Sequence, residues 1–136
     1  MPEPDKKQLT EEDAVQAFAK AWNRLEPEAF LALLAPDARY ASQWVFEELV
    51  GAEAIANYLR AKMRTIRNHS VNDPSAAVRV EIGRSAQGRP CAFMTQGDQD
   101  KVQAATVFEV RDDKIARYDL CIPQILGAQR TGIYPI

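Results

Sequence analysis

Asp119 is the residue through which this chain most directly suggests acid-base chemistry, provided its carboxylate shares a pocket with hydroxyl and aromatic side chains. Two alternating segments, Val102–Arg111 and residues 114–122, flank Asp112-Asp113, and that pattern predicts a hairpin. Centred on this turn, Arg111 opposes Lys114 and Thr106 opposes Asp119, so the last two share one sheet face. Ala104 and Cys121 have the same phase and would line the pocket floor. A slip of one residue would turn Asp119 outward. With Asp119 inside, Tyr40, Ser42 and Thr106 are its polar neighbours, Trp22, Trp44 and Phe108 are apolar walls, and lost hydration raises its pKa. The competing reading pairs Asp119 with Arg117, Arg39 or a backbone amide, or leaves it solvated. His69 follows the third expected helix, as a proton carrier at the pocket mouth or as a dipole contact only. Glu47 and Glu48 are adjacent on an extended piece, so at most one faces inward.

The elements that must position these residues begin with residues 30–44. A short apolar helix there is expected to stop at Pro36 and turn into a strand. Tyr40, Ser42 and Trp44 then recur at a period of two and share a face, with two aromatics flanking a hydroxyl. Upstream, Thr10-Glu-Glu-Asp reads as a helix cap, and Val15, Phe18, Trp22 and Leu25 form one stripe of a helix over Glu11–Arg24. A second helix follows Pro27 and buries Phe30, Leu33 and Leu34. A third starts after Gly51 and buries Ile55, Leu59, Met63 and Ile66, while Arg60, Lys62, Arg64 and Arg67 form its solvated face. Phe18 on the first helix and Tyr58 on the third join the candidate ligand-lining residues. Strands are expected over residues 78–82, 90–95, 102–111 and 114–122, joined by Gln87-Gly88, Gly97-Asp98 and Asp112-Asp113 as an antiparallel meander.

Helices followed by strands imply an α+β domain, three helices on a strongly curved, mostly antiparallel sheet with a cone-shaped pocket between them. At 136 residues the chain fits one domain, with residues 1–9 loose and residues 123–136 an irregular tail over an edge or a neighbouring subunit. The open sheet face, carrying Val107, is expected to be covered by a second copy in a homodimer. The net charge of −2 gives no basic footprint for nucleic acid, and no apolar run approaches a membrane span. The opening residues lack a signal-peptide core, so the default compartment is cytoplasmic. Cys91 and Cys121 stand apart with His69 as the sole histidine, so no zinc spacing exists and neither a metal nor a cofactor is expected.

Three stretches, Ala14-Val-Gln-Ala-Phe-Ala-Lys-Ala-Trp-Asn, Ala29-Phe-Leu-Ala-Leu-Leu-Ala-Pro-Asp-Ala and Gly51-Ala-Glu-Ala-Ile, with the late strands after them, resemble the nuclear-transport-factor-2-like superfamily. That superfamily includes ketosteroid isomerases and SnoaL-like polyketide cyclases. The resemblance spans residues 11–122 and implies a cystatin-like roll; its markers concern the fold and leave the activity open. Aligned without a gap, Phe18 stands where an isomerase carries its tyrosine donor, Ser42 where it carries its general base, and Thr106 where it carries its second aspartate. The resemblance therefore implies that classical isomerase chemistry is lost. What remains is a small-molecule binder, or a cofactor-independent enzyme of isomerase, cyclase, hydrolase or lyase type, acting on a small apolar or amphipathic molecule. The alternative is a non-catalytic dimerisation or adaptor domain.

Overall fold

In the computed structural model, which describes residues 8–43, 47–98, 100–123 and 127–136, helix α1 (Glu11–Arg24) starts at the expected cap. The Thr10 hydroxyl accepts from the Asp13 amide and the Asp13 carboxylate accepts from the Thr10 amide, which satisfies two orphaned donors reciprocally. Val15, Phe18, Ala19 and Trp22 are its buried stripe. Leu9, expected to be loose, packs against the core and donates its amide hydrogen to the Asp113 carboxylate at 2.6 Å.

Helix α2 (Glu28–Leu31) is shorter than the apolar run suggests, and Pro36 does not end it. Sheet pairing takes the chain first: the Leu33 carbonyl accepts from the Ile115 amide at 2.8 Å. Strand β1 (Leu34–Ser42) therefore contains Pro36 and has Leu34 buried as its first residue. The ladder of β1 is irregular between Leu34 and Arg39, so the missing amide hydrogen of Pro36 interrupts no regular pairing. After β2 (Leu49–Val50), helix α3 (Ala52–Ser70) buries Ile55, Leu59 and Met63 and half-buries Ile66.

Strands β3 (Val78–Arg84), β4 (Pro90–Gln96), β5 (Val102–Arg111) and β6 (Lys114–Cys121) form the expected antiparallel meander. Asp112 and Asp113 both take positive φ, 52° and 64°, as a two-residue hairpin turn requires. The tail is not irregular throughout. Residues Gln129–Ile133 form β7, antiparallel to β3. Its partner is polar: the buried Glu81 carboxylate accepts from Arg130 Nε at 2.7 Å and from the Gly132 amide at 2.5 Å. Gly83 makes room for it, since a Cβ there would stand 2.4 Å from the Gln129 carbonyl oxygen.

The strand order is β2-β1-β6-β5-β4-β3-β7 in one curved, unclosed sheet, with β1 parallel to β6. Helix α1 lies against β3, β4 and β5, and α3 against β1, so the helices occupy one face, here the inner face. Phe18, Phe30, Phe108 and Tyr118 meet there, with ring centroids 5.3 Å apart for Phe18–Phe108 and 5.5 Å for Phe30–Tyr118. Asn23 ties α1 to the sheet edge: its side chain accepts from the Val80 amide at 2.7 Å and donates to the Val80 and Pro135 carbonyls at 2.8 Å each. No helix among the described residues is long and apolar enough to cross a membrane.

Candidate functional site

The register of β6 decides which side chains reach the space between sheet and helices. Next to the turn the expected pairs hold, Arg111 with Lys114 and Val110 with Ile115, but Glu109 then pairs with Arg117. Ala116 is therefore an extra residue on β6, a β-bulge that inverts the phase of everything after it. Thr106 pairs with Leu120 rather than with Asp119, and Asp119 pairs with Val107. Asp119 thus leaves the inner face, which corrects its expected place in the pocket. Its carboxylate instead accepts from Arg117 Nη2 at 2.8 Å and Nε at 3.1 Å, and Arg117 Nη1 reaches Glu48 at 2.7 Å. Arg39 stands 3.7 Å from the other Glu48 oxygen. The Asp119 carboxylate beside it raises the Arg117 pKa further, so the guanidinium stays charged.

Cys121 shares the outer phase, paired with Ala105, and burial raises its thiol pKa. It is no floor residue, again because of the bulge. Thr106 and Phe108 do face inward and are fully buried, but they sit in the packed core beneath the cavity rather than in its wall. His69 is exposed in the last turn of α3 and does not line the cavity. Glu47 and Glu48 are both exposed. Trp44 lies outside the described residues.

The same inversion brings Tyr118 and Leu120 inward, beside Tyr40 and Ser42 of the parallel β1. These four, with Phe18 and Trp22 of α1, Tyr58, Leu59, Lys62 and Ile66 of α3, and Val78, Met94, Gln96, Val102, Gln103 and Ala104 of the meander, line a cavity of about 600 Å³. Ile122 and Pro123 complete the described wall. Phe18, Trp22, Tyr40, Leu59, Ala104 and Tyr118 are buried and form the floor. Lys62, Gln96 and Gln103 are exposed and mark the mouth.

The floor is apolar carbon interrupted by hydroxyls. Tyr40 hydrogen-bonds with Ser42 and with Tyr58, and its ring stacks on Tyr118 at 4.5 Å. Burial raises the pKa of Tyr40 and Tyr118, with the neighbouring phenols acting in the same direction, so both remain neutral hydrogen-bonding groups at physiological pH. The Trp22 indole N–H and the Tyr118 hydroxyl are buried without a hydrogen-bond partner among the described residues. Buried polar groups are usually paired, so these two leave capacity in the cavity wall for a water or a ligand group. Among the described wall residues there is no carboxylate and no histidine, and Lys62 is the one charged side chain. The described residues hold no cluster of three or more His, Cys, Asp or Glu side chains placed to bind a metal.

Sequence reasoning thus placed Phe18, Trp22, Tyr40, Ser42 and Tyr58 among residues the structure brings together, and missed Tyr118, Leu120, Met94 and Lys62. A signal for Tyr118 existed. Ile115, Tyr118 and Leu120 are the large apolar residues of β6, spaced three and then two, and that break in alternation marks the bulge. Lys62 follows Tyr58 and Leu59 and precedes Ile66 at helical spacing, so it belongs to the cavity-facing edge of α3 and not to a wholly solvated face.

Residues 15–118 match the family model of the SnoaL-like domain. No curated protein sequence matches the chain. Among solved structures, a SnoaL-like protein of unknown function from Burkholderia thailandensis is similar at a TM-score of 0.56 and 17% identity, covering 93% of this chain and 100% of its own. A candidate polyketide cyclase from Sinorhizobium meliloti reaches 0.56 at 18% identity, over 79% of this chain and 93% of its own. A cystatin-fold protein from Novosphingobium aromaticivorans gives 0.53 at 15%, over 82% and 97%. Likeness at these identities concerns the fold alone.

Proposed function

The chain belongs to the SnoaL-like domain family, and from that premise we propose that it binds a small, largely apolar molecule carrying a hydrogen-bonding group in the cavity between α3 and the inner sheet face. The observation that carries this reading is the cavity itself. Its volume of about 600 Å³ falls within the ~300–1,000 Å³ typical of small-molecule sites, and its walls have their composition, apolar and aromatic with a few convergent polar groups. Tyr40, Ser42 and Tyr58 supply hydroxyls, while Trp22 and Tyr118 have hydrogen-bonding capacity to spare.

The same walls argue against proton abstraction by a carboxylate. Enolisation needs a base within hydrogen-bond reach of the acidic carbon, and the carboxylate nominated for that role lies on the other side of the sheet, paired with Arg117. Ser42 and the two neutral phenols cannot replace it at neutral pH. The reading is therefore one of binding, with any turnover resting on positioning and hydrogen bonding.

The test is a titration with a polarity-sensitive anilinonaphthalene fluorophore, comparing the wild type with Ala104→Phe, which fills the floor from β5. The variant should lose about tenfold or more in affinity, ~1.4 kcal/mol, while keeping a cooperative melt. Unchanged binding by a folded Ala104→Phe protein would refute the reading.

A second reading, a homodimer through the outer sheet face, is supported by the part-buried Ala105 and Val107 and the exposed Val50 on that face. The Arg117, Asp119 and Glu48 cluster lies between Val50 and Val107, because β1 and β6 separate β2 from β5, so such an interface would have to cover it. Light scattering at micromolar concentration tests it, and a monomer at every concentration would remove it.

A further inference from the structure

Nine ion pairs occur among the described residues, and none of them includes Lys62. Two other basic residues of α3 are engaged elsewhere. Arg60 makes a two-pronged contact with Glu28 at 2.8 and 2.9 Å, and Arg67 donates to the Leu25 carbonyl at 2.7 Å. The helical positions three and four residues from Lys62 hold Tyr58, Leu59, Thr65 and Ile66, so no acid on α3 can balance it at that spacing. Across the mouth stand Gln96 and Gln103, both neutral donors. A protein with 19 acidic residues thus surrounds this opening with one cation and, among the described wall residues, no anion.

Burial also gives the cavity a direction. Its floor at Phe18, Leu59, Ala104 and Tyr118 is nearly or fully inaccessible to water, whereas Lys62, Gln96 and Gln103 are exposed. A wholly apolar ligand would leave the ammonium unused, and a cationic one would meet it with like charge. A ligand charged at one end and apolar along its length fits both ends.

We infer that the cavity takes an amphipathic anion, its carboxylate or equivalent acidic head held at the mouth by Lys62 with Gln96 and Gln103, and its apolar body directed toward Tyr118 and Trp22. This rests on the binding reading above and adds to it a charge and an orientation. The arrangement also excludes amphiphiles of opposite sign, which would be repelled by the lysine without gaining a partner.

The experiment compares decanoate with decanol by isothermal titration, each against the wild type, Lys62→Gln and Lys62→Glu. Lys62 is exposed and makes no ion pair among the described residues, so these changes should leave the fold intact. Decanoate should bind the wild type more tightly than decanol. Lys62→Gln should weaken decanoate about two- to five-fold, the range of an exposed charge pair, and leave decanol unchanged. Lys62→Glu should weaken decanoate further and admit decyltrimethylammonium, and added salt should narrow the wild-type preference for the acid. Equal or tighter binding of decanol, or a decanoate affinity indifferent to both substitutions, would overturn the inference while leaving the binding reading standing. Binding of neither amphiphile by the folded wild type would overturn both.

Discussion

Replacing Asp119 by Asn separates the two sides of the sheet, because the sign of its effect on stability depends on where the carboxylate lies. On the outer face Asp119 accepts two close bonds from Arg117, and the side chains of Arg117 and Asp119 are 36% and 33% exposed. At that exposure solvent screens the pair, and its loss should cost about 0.5–1 kcal/mol. Asn keeps one oxygen for Arg117, and Glu48 remains on the other prong, which holds the cost at the low end. For a domain of this size the melting midpoint should fall by about 2–4 °C. A double-mutant cycle with Arg117→Met should assign the loss to the pair, and high salt should shrink it. A carboxylate held in an apolar cavity would behave oppositely. Removing an unpaired buried charge would stabilise the protein by ~2 kcal/mol or more, and would alter ligand binding as well. Urea denaturation with fluorophore binding on the same samples reads both quantities. A stabilised Asp119→Asn protein, or one that no longer binds, would refute the placement of Asp119 and the bulge at Ala116 with it.

Burial raises the pKa of Tyr40 and Tyr118 in the folded protein, so the folded state holds these phenolic protons more tightly than the unfolded chain, whose tyrosines titrate near ~10. Their contribution to stability is then complete below about pH 10 and is lost as pH rises above it; phenolate absorbance from both should appear together with unfolding, and titration of either in a still-folded protein would contradict their burial. The Cys91 thiol, raised to about 11 by burial, should likewise resist alkylation in the folded protein until unfolding exposes it. Arg130→Met should cost about 2–4 kcal/mol, since it leaves the buried Glu81 carboxylate with reduced pairing. Hydrogen exchange should show β7 losing protection in that variant, and unchanged stability would mean that β7 is held by something other than Glu81.

Much of this fold is legible in local chemistry. The capping box at Thr10 and Asp13, the stripe of α1, the buried face of α3 and the Asp112-Asp113 turn each follow from a few adjacent residues. The misreadings arise where distant parts of the chain decide. Pro36 looks like a helix stop, yet Leu33 has already been captured by Ile115, far along the chain. β7 carries no apolar alternation, because Glu81 and Gly83 on another strand specify it. Asp119 shows how a single extra residue matters: the turn fixes Arg111 against Lys114, but Ala116 breaks the count before it reaches Asp119. The apolar spacing of Ile115, Tyr118 and Leu120 carried that information, and a count from the turn overlooked it. For Lys62, the sequence marks a charge on a helix, while its place on the cavity edge depends on how α3 lies against the sheet.

The central claim, that ligand binding belongs to the inner face and not to the cluster around Asp119, is tested most directly by methyl chemical-shift mapping of the full chain with decanol. Saturating ligand should shift the methyl groups of Leu59, Ile66, Met94, Ala104 and Leu120, all in the cavity wall, and leave Val50 and Val107 on the outer face undisturbed. Shifts confined to Val50, Val107 and their outer neighbours, or no saturable shift at any cavity methyl, would contradict the account.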